Sequence, residues 1–338
     1  MGIRIAVAGL KHDHVRTVLG LALEDPSIEV VALADDDEAN RRAYEEAFGI
    51  SVRYPTHREL LESEAFDALV VCEEFGRRGE VAIAALEAGK HVFCDKPLCT
   101  RVEELVQIAA LARERRLEIG VDFSLRHYWA RAAAPLQQGE IGEIVSCTFA
   151  GPHGLAYGWR PRWYYEPGKH GGVINDIIGH GVDYVHWVTG KRYTHVLGAT
   201  RACVGLPQHP KFETLGEACY RLDGGATAFG HVDYLVPKGH GTRWRCFLTG
   251  TEGDALVDEV DGLCLRRAGA PERRIPAAEL HAEAKHPFVD FVRLLTEGAT
   301  PLRTISETLH CSLACLVAQQ AAETGEANVP IPVLEGWA

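Results

Sequence analysis

Short apolar segments alternate with amphipathic stretches through about the first 120 residues, and this alternation restricts the fold more than any other pattern. Strands separated by helical patterns indicate βαβ units, in which parallel strands carry helices on both faces of the sheet. We predict strands at Ile3–Ala8, Ile28–Ala34, 52–54, Ala68–Val71, His91–Cys94 and 117–121. We predict helices at Glu38–Phe48 and 79–88, and two more that begin at the capping boxes 56–59 and 100–103, the second reaching about residue 115.

The pattern changes after residue 123. Strand patterns occur at 144–149 and dominate from 195 to 267, where Asp223-Gly224 predicts a hairpin turn. Further helices are predicted at 130–138, 173–188, 286–295 and 306–322. Strands in series, with helices set apart, are typical of an α+β domain with a mainly antiparallel sheet. We therefore predict a Rossmann-type α/β domain at residues 1–122 and an α+β domain at residues 123–338.

Composition excludes several classes of partner. The formal net charge of −12 would repel a phosphate backbone and no basic run offsets it, so we expect no nucleic-acid partner. No apolar run is long enough to span a bilayer and the first residues do not form a secretory signal, so we expect a cytoplasmic protein without a membrane partner. The ten cysteines include no C-x-x-C pair and are expected to be free thiols.

The turn after the first predicted strand is a candidate dinucleotide site. Gly9 supplies the first glycine of a G-x-G-x-x-G pattern, whereas Lys11 and His14 stand at the other two glycine positions. Asp35 ends the second strand, where an acid accepts hydrogen bonds from the adenine ribose, and two more aspartates follow. Their charge would disfavour a 2′-phosphate, so NAD is favoured over NADP. An ordinary strand-to-helix turn and an acidic helix cap explain the same residues, and both stay open.

Three residues predict the chemistry. Lys96 follows the predicted strand His91–Cys94, at the sheet edge where open α/β folds place their ligands. Asp176 and His180 stand four residues apart on a predicted helix, so the carboxylate could orient the imidazole as a general base. A solvated lysine and a structural His–Asp pair remain the alternatives. No third ligand is evident near this pair, so we predict no metal.

Several stretches together resemble the glucose–fructose oxidoreductase, inositol dehydrogenase and MocA family. The stretches are 84–92 with 95–97, 171–183, 247–253 and 323–325. The resemblance implies a Rossmann domain followed by an open-faced, mainly antiparallel sheet, and a nicotinamide cofactor acting on a sugar, polyol or related small molecule. It also implies that Lys96 polarises the reacting oxygen, that His180 exchanges the hydroxyl proton and that Asp176 orients His180.

The resemblance extends to binding residues and assembly. The predicted cofactor-binding residues are Gly9, Leu10, Lys11, His12, Asp35, Glu73, Glu74, Asp95 and Lys96. The predicted substrate-binding residues are Arg126, Trp163, Tyr165 and Asn175, of which Trp163 and Tyr165 belong to the aromatic, arginine-containing segment 157–165. An interdomain or subunit contact would explain that segment equally well. A homodimer or homotetramer is expected.

Two local departures from the family pattern motivate alternative functions. Residues 10–14 contain no glycine, and 72–77 reads Cys-Glu-Glu-Phe-Gly-Arg where the family has Thr-Pro followed by histidine. A regulatory protein that binds a ligand or dinucleotide without turnover is therefore the alternative to an active oxidoreductase. A metal-dependent lyase or hydrolase ranks last, because the sixteen histidines form no ligand-spaced cluster in the sequence.

Overall fold

The computed structural model of the chain describes residues 2–155, 160–237, 239–283 and 285–337. The amino-terminal strands are β1 (Ile3–Ala8), β2 (Ile28–Ala34), β3 (Ala68–Val71), β4 (His91–Cys94) and β5 (Ile119–Val121). They form one parallel sheet in the order β2-β1-β3-β4-β5. The accompanying helices are α1 (His14–Glu24), α2 (Glu38–Phe48), α3 (His57–Ser63), α4 (Phe75–Glu87) and α5 (Val102–Arg115). The predicted parallel α/β sheet is confirmed.

Local signals fix the ends of several helices. The Asp37 carboxylate caps α2 by accepting from the amide of Ala39 at 2.8 Å, and Gly49 ends the helix in the left-handed region. Thr56 caps α3 by accepting from the amide of Glu59 at 3.2 Å. These contacts involve only near neighbours in the chain, which is why the sequence predicts them correctly.

Two local predictions are wrong. Residues 52–54 form no strand, and only Tyr54 makes an isolated bridge to Ala34 before Pro55 interrupts the backbone donors. The capping box predicted at 100–103 does not cap α5. The helix begins one residue later than predicted, and Arg101 occupies the N-cap position without a side-chain hydrogen bond. Instead, the Glu104 carboxylate accepts from the amide of Thr100 at 3.4 Å.

The remainder of the chain builds a second sheet. Its strands are β6 (Ile144–Pro152), β7 (Tyr193–Ala202), β8 (Leu215–Leu222), β9 (Thr227–Asp233), β10 (Arg245–Gly250), β11 (Gly253–Asp258), β12 (Gly262–Arg267), β13 (Arg273–Ile275) and β14 (Val329–Pro330). They lie in the order β13-β12-β11-β10-β6-β9-β8-β7-β14. Every pair is antiparallel except β6 with β9, so the predicted mainly antiparallel sheet is confirmed. The hairpin at Asp223 joins β8 to β9, also as predicted.

Helices cover one face of this second sheet. The short helices α6 (Leu125–Tyr128) and α7 (Ala130–Gln137) precede it, and a π-helical turn (Ile174–Ile178) leads directly into α8 (Gly179–Thr189). A Cβ atom on Gly181 would lie 2.2 Å from the ring of Phe149, so glycine allows α8 to approach β6 closely. The buried side chains of β6, β9, β10 and β11 face these helices, and the alternate side chains face away.

The last two helices connect the two sheets. In α9 (Pro287–Glu297), Phe288 and Phe291 pack their rings 5.3 Å and 5.6 Å from Phe93 of β4, so this late helix covers the parallel sheet. Helix α10 (Ile305–Thr324) packs on β7 and α8. The domain boundary between residues 122 and 123 stays a prediction. Helix α9 lies after this boundary in the chain but packs on the sheet that precedes it. No helix in the described ranges combines the length and apolar character needed to cross a membrane.

Candidate active site

Lys96 lies where the two halves of the protein meet. It follows β4 at the carboxyl edge of the parallel sheet, and its side chain is only 6% exposed. The Nζ atom forms an ion pair with the Asp176 carboxylate and donates to the Asp176 backbone oxygen at 3.2 Å. Asp176 belongs to the π-helical turn before α8. The structure thus brings together two of the three residues predicted to be catalytic.

Asp176 is a buried carboxylate with several donors. Tyr164 donates its hydroxyl at 2.7 Å, Tyr234 donates a second hydroxyl, and the Nε2 atom of His170 lies 3.4 Å away. Burial opposes ionisation, but the Lys96 ammonium and His170 hold the pKa of Asp176 well below its usual range. Asp176 is therefore an anion that fixes the position of the Lys96 ammonium group.

His180 does not pair with Asp176, and the predicted orienting role of Asp176 is wrong. The Nδ1 atom of His180 has no hydrogen-bond partner among the described residues, and the ring packs 4.7 Å from that of Trp244. The physical reason is that the Asp176 carboxylate is directed at Lys96, Tyr164 and Tyr234, which leaves it no contact with the His180 ring. Burial and the nearby Lys96 ammonium lower the pKa of His180 to about 3.

Lys96 and His180 nevertheless line the same cavity, which we call the central cavity. Its volume is about 250 Å³, and its lining includes His12, Asp122, His153, Arg160 and Trp244. His153, Ser124, Tyr128 and Trp244 also line an adjoining space of about 390 Å³, the side chamber. A lysine and a neutral histidine therefore face one enclosed volume large enough for a small organic molecule.

Sequence reasoning missed His153. It follows the end of β6, and burial together with Lys96 and Arg160 lowers its pKa to about 4. Its Nδ1 atom lies 2.7 Å from the carbonyl oxygen of Gly154, and because a carbonyl can only accept, Nδ1 carries the proton. The Nε2 atom is then an acceptor. Nothing in the sequence identifies this residue, because its place in the cavity depends on the end of β6 lying next to the end of β4.

The turn after β1 fits a dinucleotide phosphate. Gly9 has a positive φ of 82°, and a Cβ atom there would lie 2.5 Å from the Glu73 backbone, so only glycine fits. The amide of Leu10 donates to Asp35 at 2.6 Å and that of Lys11 to the carbonyl of Cys72 at 3.3 Å. Helix α1 begins with no side-chain cap, which leaves the positive end of its dipole open to a phosphate.

Acidic and basic groups alternate around the predicted ribose position. Asp35 is buried, and its carboxylate lies 3.2 Å from Lys11 Nζ. Asp36 is half-exposed and pairs with both Lys11 and Arg77, the latter at 2.9 Å. Burial opposes ionisation of Asp36, but these cations lower its pKa. Lys11, at the second glycine position of the G-x-G-x-x-G pattern, is thus held by Asp35 and Asp36, which follow β2.

Asp95 is enclosed by basic groups. Arg78 donates to its carboxylate at 2.7 Å, and the Nδ1 atoms of His14 and His12 lie 2.9 Å and 3.0 Å from its oxygens. The ligand atoms of His12, His14 and Asp95 lie within 4.8 Å of one another, a spacing compatible with a metal ion. The predicted cofactor contact of Asp95 stays a prediction, and in the structure its carboxylate is occupied by Arg78, His12 and His14. In the sequence, the His-Asp-His run at 12–14 was the available signal for this cluster.

Glu73 and Glu74 follow β3 beside the turn at Gly9. Burial raises the pKa of Glu73, whose carboxylate lies 3.6 Å from Arg77. Glu74 pairs with Lys169 at 3.1 Å and so links the parallel sheet to the segment before the π-helical turn. Both residues lie at the predicted cofactor edge, and their contact with a cofactor stays a prediction.

Arg126, predicted to bind substrate, is buried among helices and does not line the central cavity. Its side chain is fully buried and pairs with Asp183 of α8 and Glu307 of α10, each at 2.9 Å. The guanidinium also donates to the carbonyl of Leu302 at 2.8 Å. Because its donors are directed at α8 and α10, Arg126 joins three helices and does not line the central cavity.

The other predicted substrate residues lie beside the central cavity rather than in its lining. Trp163 packs its ring 5.1 Å from that of Phe75 and donates to the Lys11 carbonyl at 3.3 Å. Tyr165 stacks 3.8 Å from His209. Asn175 donates to the carbonyl of Cys99 at 2.9 Å. Tyr157 and Trp159, the remaining aromatic residues predicted for this segment, lie outside the described residues.

Comparisons with known proteins agree with this architecture. Residues 3–123 match the model of the oxidoreductase family with an NAD-binding Rossmann fold, and residues 129–256 match the GFO/IDH/MocA C-terminal domain. A dTDP-3,4-didehydro-2,6-dideoxy-alpha-D-glucose 3-reductase of Streptomyces violaceoruber is 26% identical over 88% of this chain and 87% of its own length. Inositol 2-dehydrogenase 3 of Saccharopolyspora erythraea is 27% identical over 86% of this chain and 82% of its own.

Other similarities are shorter or limited to the fold. An uncharacterized oxidoreductase of Synechocystis sp. is 28% identical, over 52% of this chain and 50% of its own length. An oxidoreductase domain protein from Kribbella flavida shares the fold, with a TM-score of 0.83 at 23% identity over 98% of this chain and all of its own. A levoglucosan dehydrogenase in complex with NADH does so with a TM-score of 0.81 at 18% identity, over 98% of this chain and all of its own.

Buried neutral histidines predict sensitivity to mild acid. His12, His153 and His180 have pKa values lowered to about 3, 4 and 3, chiefly by burial, from an ordinary value of 6.5. Below that value the unfolded chain binds protons that the folded chain does not, so the free energy of unfolding should fall as the pH drops from about 6 to 4.5. His180→Gln should reduce this slope by about one proton, or roughly 1.4 kcal/mol per pH unit.

Urea denaturation across that pH range measures the effect. The exposed His240 supplies the control, and His240→Gln should leave the slope unchanged. An identical slope in the wild type and in His180→Gln would contradict the assignment of His180 as a buried neutral group.

Proposed function

This chain belongs to the GFO/IDH/MocA family of oxidoreductases, and from that premise we propose that it is an NAD-dependent dehydrogenase acting on CH–OH groups. Hydride would pass between the nicotinamide and a carbinol or carbonyl carbon of a sugar, polyol or related small molecule. The observation that carries the proposal is the central cavity, in which Lys96 and His180 face the same space at the carboxyl edge of the parallel sheet. The activities for which two relatives are named, a sugar reductase and an inositol dehydrogenase, support the same reaction class.

Lys96 would bind the reacting oxygen. Its ammonium group has three donors, and the Asp176 carboxylate and backbone oxygen accept from it. A remaining donor can reach a substrate hydroxyl in the central cavity and stabilise the negative charge that develops on that oxygen. Asp176 would be a positioning residue, held in turn by Tyr164 and Tyr234.

His180 would exchange the proton of that hydroxyl. Its ring is neutral near pH 7 because burial and Lys96 lower its pKa to about 3, which also makes it a weak base. The nearby Asp122 carboxylate would favour the imidazolium formed when the ring takes the proton. When bound, the nicotinamide would accept the hydride, which carries both electrons of the C–H bond away from the carbinol carbon. Oxidation then yields a carbonyl compound, the reduced cofactor and one proton on His180.

The preference for NAD would come from the surplus of acids around the predicted ribose. Asp35, Asp36 and Glu73 outnumber Lys11 and Arg77, so a 2′-phosphate would add charge to a site that is already negative. The ordinary 2′-hydroxyl of NAD would instead donate to a carboxylate. Asp36 is the informative residue, because Asp35 is buried and also binds the amides of Leu10 and Asp37.

The uncovered face of the second sheet would form the subunit contact. Phe229 of β9 and Phe247 of β10 are 37% and 39% exposed, and both lie opposite Thr148 of β6. Cys219 and Leu256 extend this row on the strands to either side. A row of mainly apolar side chains on a sheet face, with Thr148 at its centre, suits burial against a second copy, so we propose a homodimer or homotetramer.

The cofactor proposal predicts that NADH binds more tightly than NADPH to the wild type. Asp36→Ser should narrow that preference about tenfold or more, because it frees Lys11 and Arg77 to meet a 2′-phosphate. Fluorescence titration of the reduced cofactors measures both affinities. Asp37→Ser is the matched control, since Asp37 caps α2, serine can keep that cap, and the preference for NADH should be unchanged. Tighter binding of NADPH by the wild type would overturn the assignment.

The assembly proposal predicts that Phe229→Glu with Phe247→Glu converts the oligomer to monomers, because burying two carboxylates in an apolar contact is costly. Light scattering coupled to size exclusion at micromolar concentration measures the mass. Val260→Glu changes a residue that is 59% exposed in a turn and should leave the mass unchanged. A monomeric wild type would remove the proposal.

The mechanism predicts which catalytic residues act together. Lys96→Met and His180→Ala should each lower kcat by roughly 10²–10⁴-fold. Asp176→Asn should do so to a comparable extent, and Lys96→Met with Asp176→Asn should be little worse than Lys96→Met alone, because the two side chains act through one ion pair. NADH affinity should stay within a few-fold in all of them.

A screen of sugars and polyols, followed by stopped-flow absorbance, measures these effects. Turnover that survives His180→Ala would refute the proton-transfer role. A wild type that binds NADH but turns over no member of the screen would favour the regulatory alternative.

A further inference from the structure

Arg160 is a cation in the lining of the central cavity that has no carboxylate partner. Its Nη1 atom lies 3.1 Å from His12 Nε2, and its guanidinium lies over the Tyr164 ring at 4.6 Å. The Nε atom is buried and makes no hydrogen bond in the described part of the chain. The structure describes every aspartate and glutamate of the chain, and none of them forms an ion pair with Arg160.

The carboxylates around the central cavity are already matched by basic groups. The pairs are Asp176 with Lys96, Asp95 with Arg78 at 2.7 Å, and Asp122 with His286 at 3.5 Å. Arg160 is therefore a cation of the cavity lining with which none of these carboxylates pairs. Burial, followed by the nearby cations Lys96 and Arg160, lowers the pKa of His153 in the same lining to about 4.

A mostly buried guanidinium without a counter-ion is costly unless a ligand supplies the anion. Its planar fork of donors matches a carboxylate better than a hydroxyl. We propose that the substrate is a hydroxy acid of sugar size, whose carboxylate binds Arg160 while its reacting hydroxyl meets Lys96 and His180. This inference rests on the proposed oxidoreductase function and narrows its substrate class to sugar acids.

The space available agrees with a substrate of several carbons. The central cavity opens past His153 and Trp244 into the side chamber, where Tyr128 and Trp129 present aromatic rings. Arg160 and Lys96 line the same central cavity, so one molecule can meet both cations, and the remainder of a polyhydroxy chain can extend into the side chamber.

A cofactor pyrophosphate is the other source of the same anionic chemistry. Arg160 contacts His12, which belongs to the turn after β1 where a phosphate would bind. The two sources differ in one measurable respect. A substrate site affects the binding of the acid and not of NADH alone, whereas a pyrophosphate site weakens NADH binding with no acid present.

The test is calorimetric titration of the NADH-saturated protein with matched probes. The acids are D-gluconate, D-galactonate and D-glucuronate, and their neutral counterparts are D-glucitol, D-galactitol and D-glucose. At least one acid should bind the wild type roughly 30-fold or more tightly than its neutral counterpart. Arg160→Gln should abolish that difference, whereas Arg162→Gln, at a side chain that is 95% exposed, should preserve it.

The remaining outcomes separate this inference from the function on which it rests. Equal or absent binding of the acids and their neutral counterparts by the wild type overturns the carboxylate site. So does a loss of NADH affinity in Arg160→Gln with the acid preference intact, because the pyrophosphate would then be the anion. Acid binding that depends on Arg160, in a protein that neither binds NADH nor oxidises the acid, supports the anion site and removes the dehydrogenase proposal.

Discussion

The buried ion pair between Lys96 and Asp176 is the contact on which the arrangement of the site depends. It joins the end of β4 in the parallel sheet to the π-helical turn that begins the helical layer of the second sheet. Two buried charges are stable only when their remaining hydrogen-bonding capacity is met. Tyr164 and Tyr234 meet that need, and Tyr234 follows β9 directly. The position of the lysine is thus set by both sheets.

A second charged cluster shapes the neighbouring edge of the parallel sheet. Arg78 is fully buried and donates to the carbonyl oxygens of Glu73 and Asp95 as well as to the Asp95 carboxylate. Asp95 in turn holds His12 and His14 at the start of α1. The two histidines occupy a turn that is usually rich in glycine, and they face the central cavity. Charge and hydrogen bonding therefore order a turn in which glycine conformations are absent after Gly9.

These two clusters give the central cavity its electrostatic character. Asp176 and Asp95 are ionised, but they pair with Lys96 and Arg78, which largely neutralise their charge. His12, His153 and His180 are held neutral by burial, and His153 and His180 also lie near cations. The cavity consequently combines neutral proton acceptors with an unmatched guanidinium, an arrangement suited to a polyhydroxy anion.

The sequence alone determined the elements and their order. The bounds of β1, β2, β3, β4 and α2 follow from apolar runs, from the Asp37 cap and from Gly49, because each of these signals acts between near neighbours in the chain. The sequence also identified Lys96, Asp176 and His180 as residues of one site. Only the tertiary structure decided how they interact. The Asp176 carboxylate is directed at Lys96, Tyr164 and Tyr234 rather than at His180, and Arg126 is directed at α8 and α10 rather than at the cavity. His153 and Arg160 lie in the site because segments distant in the chain pack together there. A local sequence pattern does not predict which side chains contact one another across such an interface.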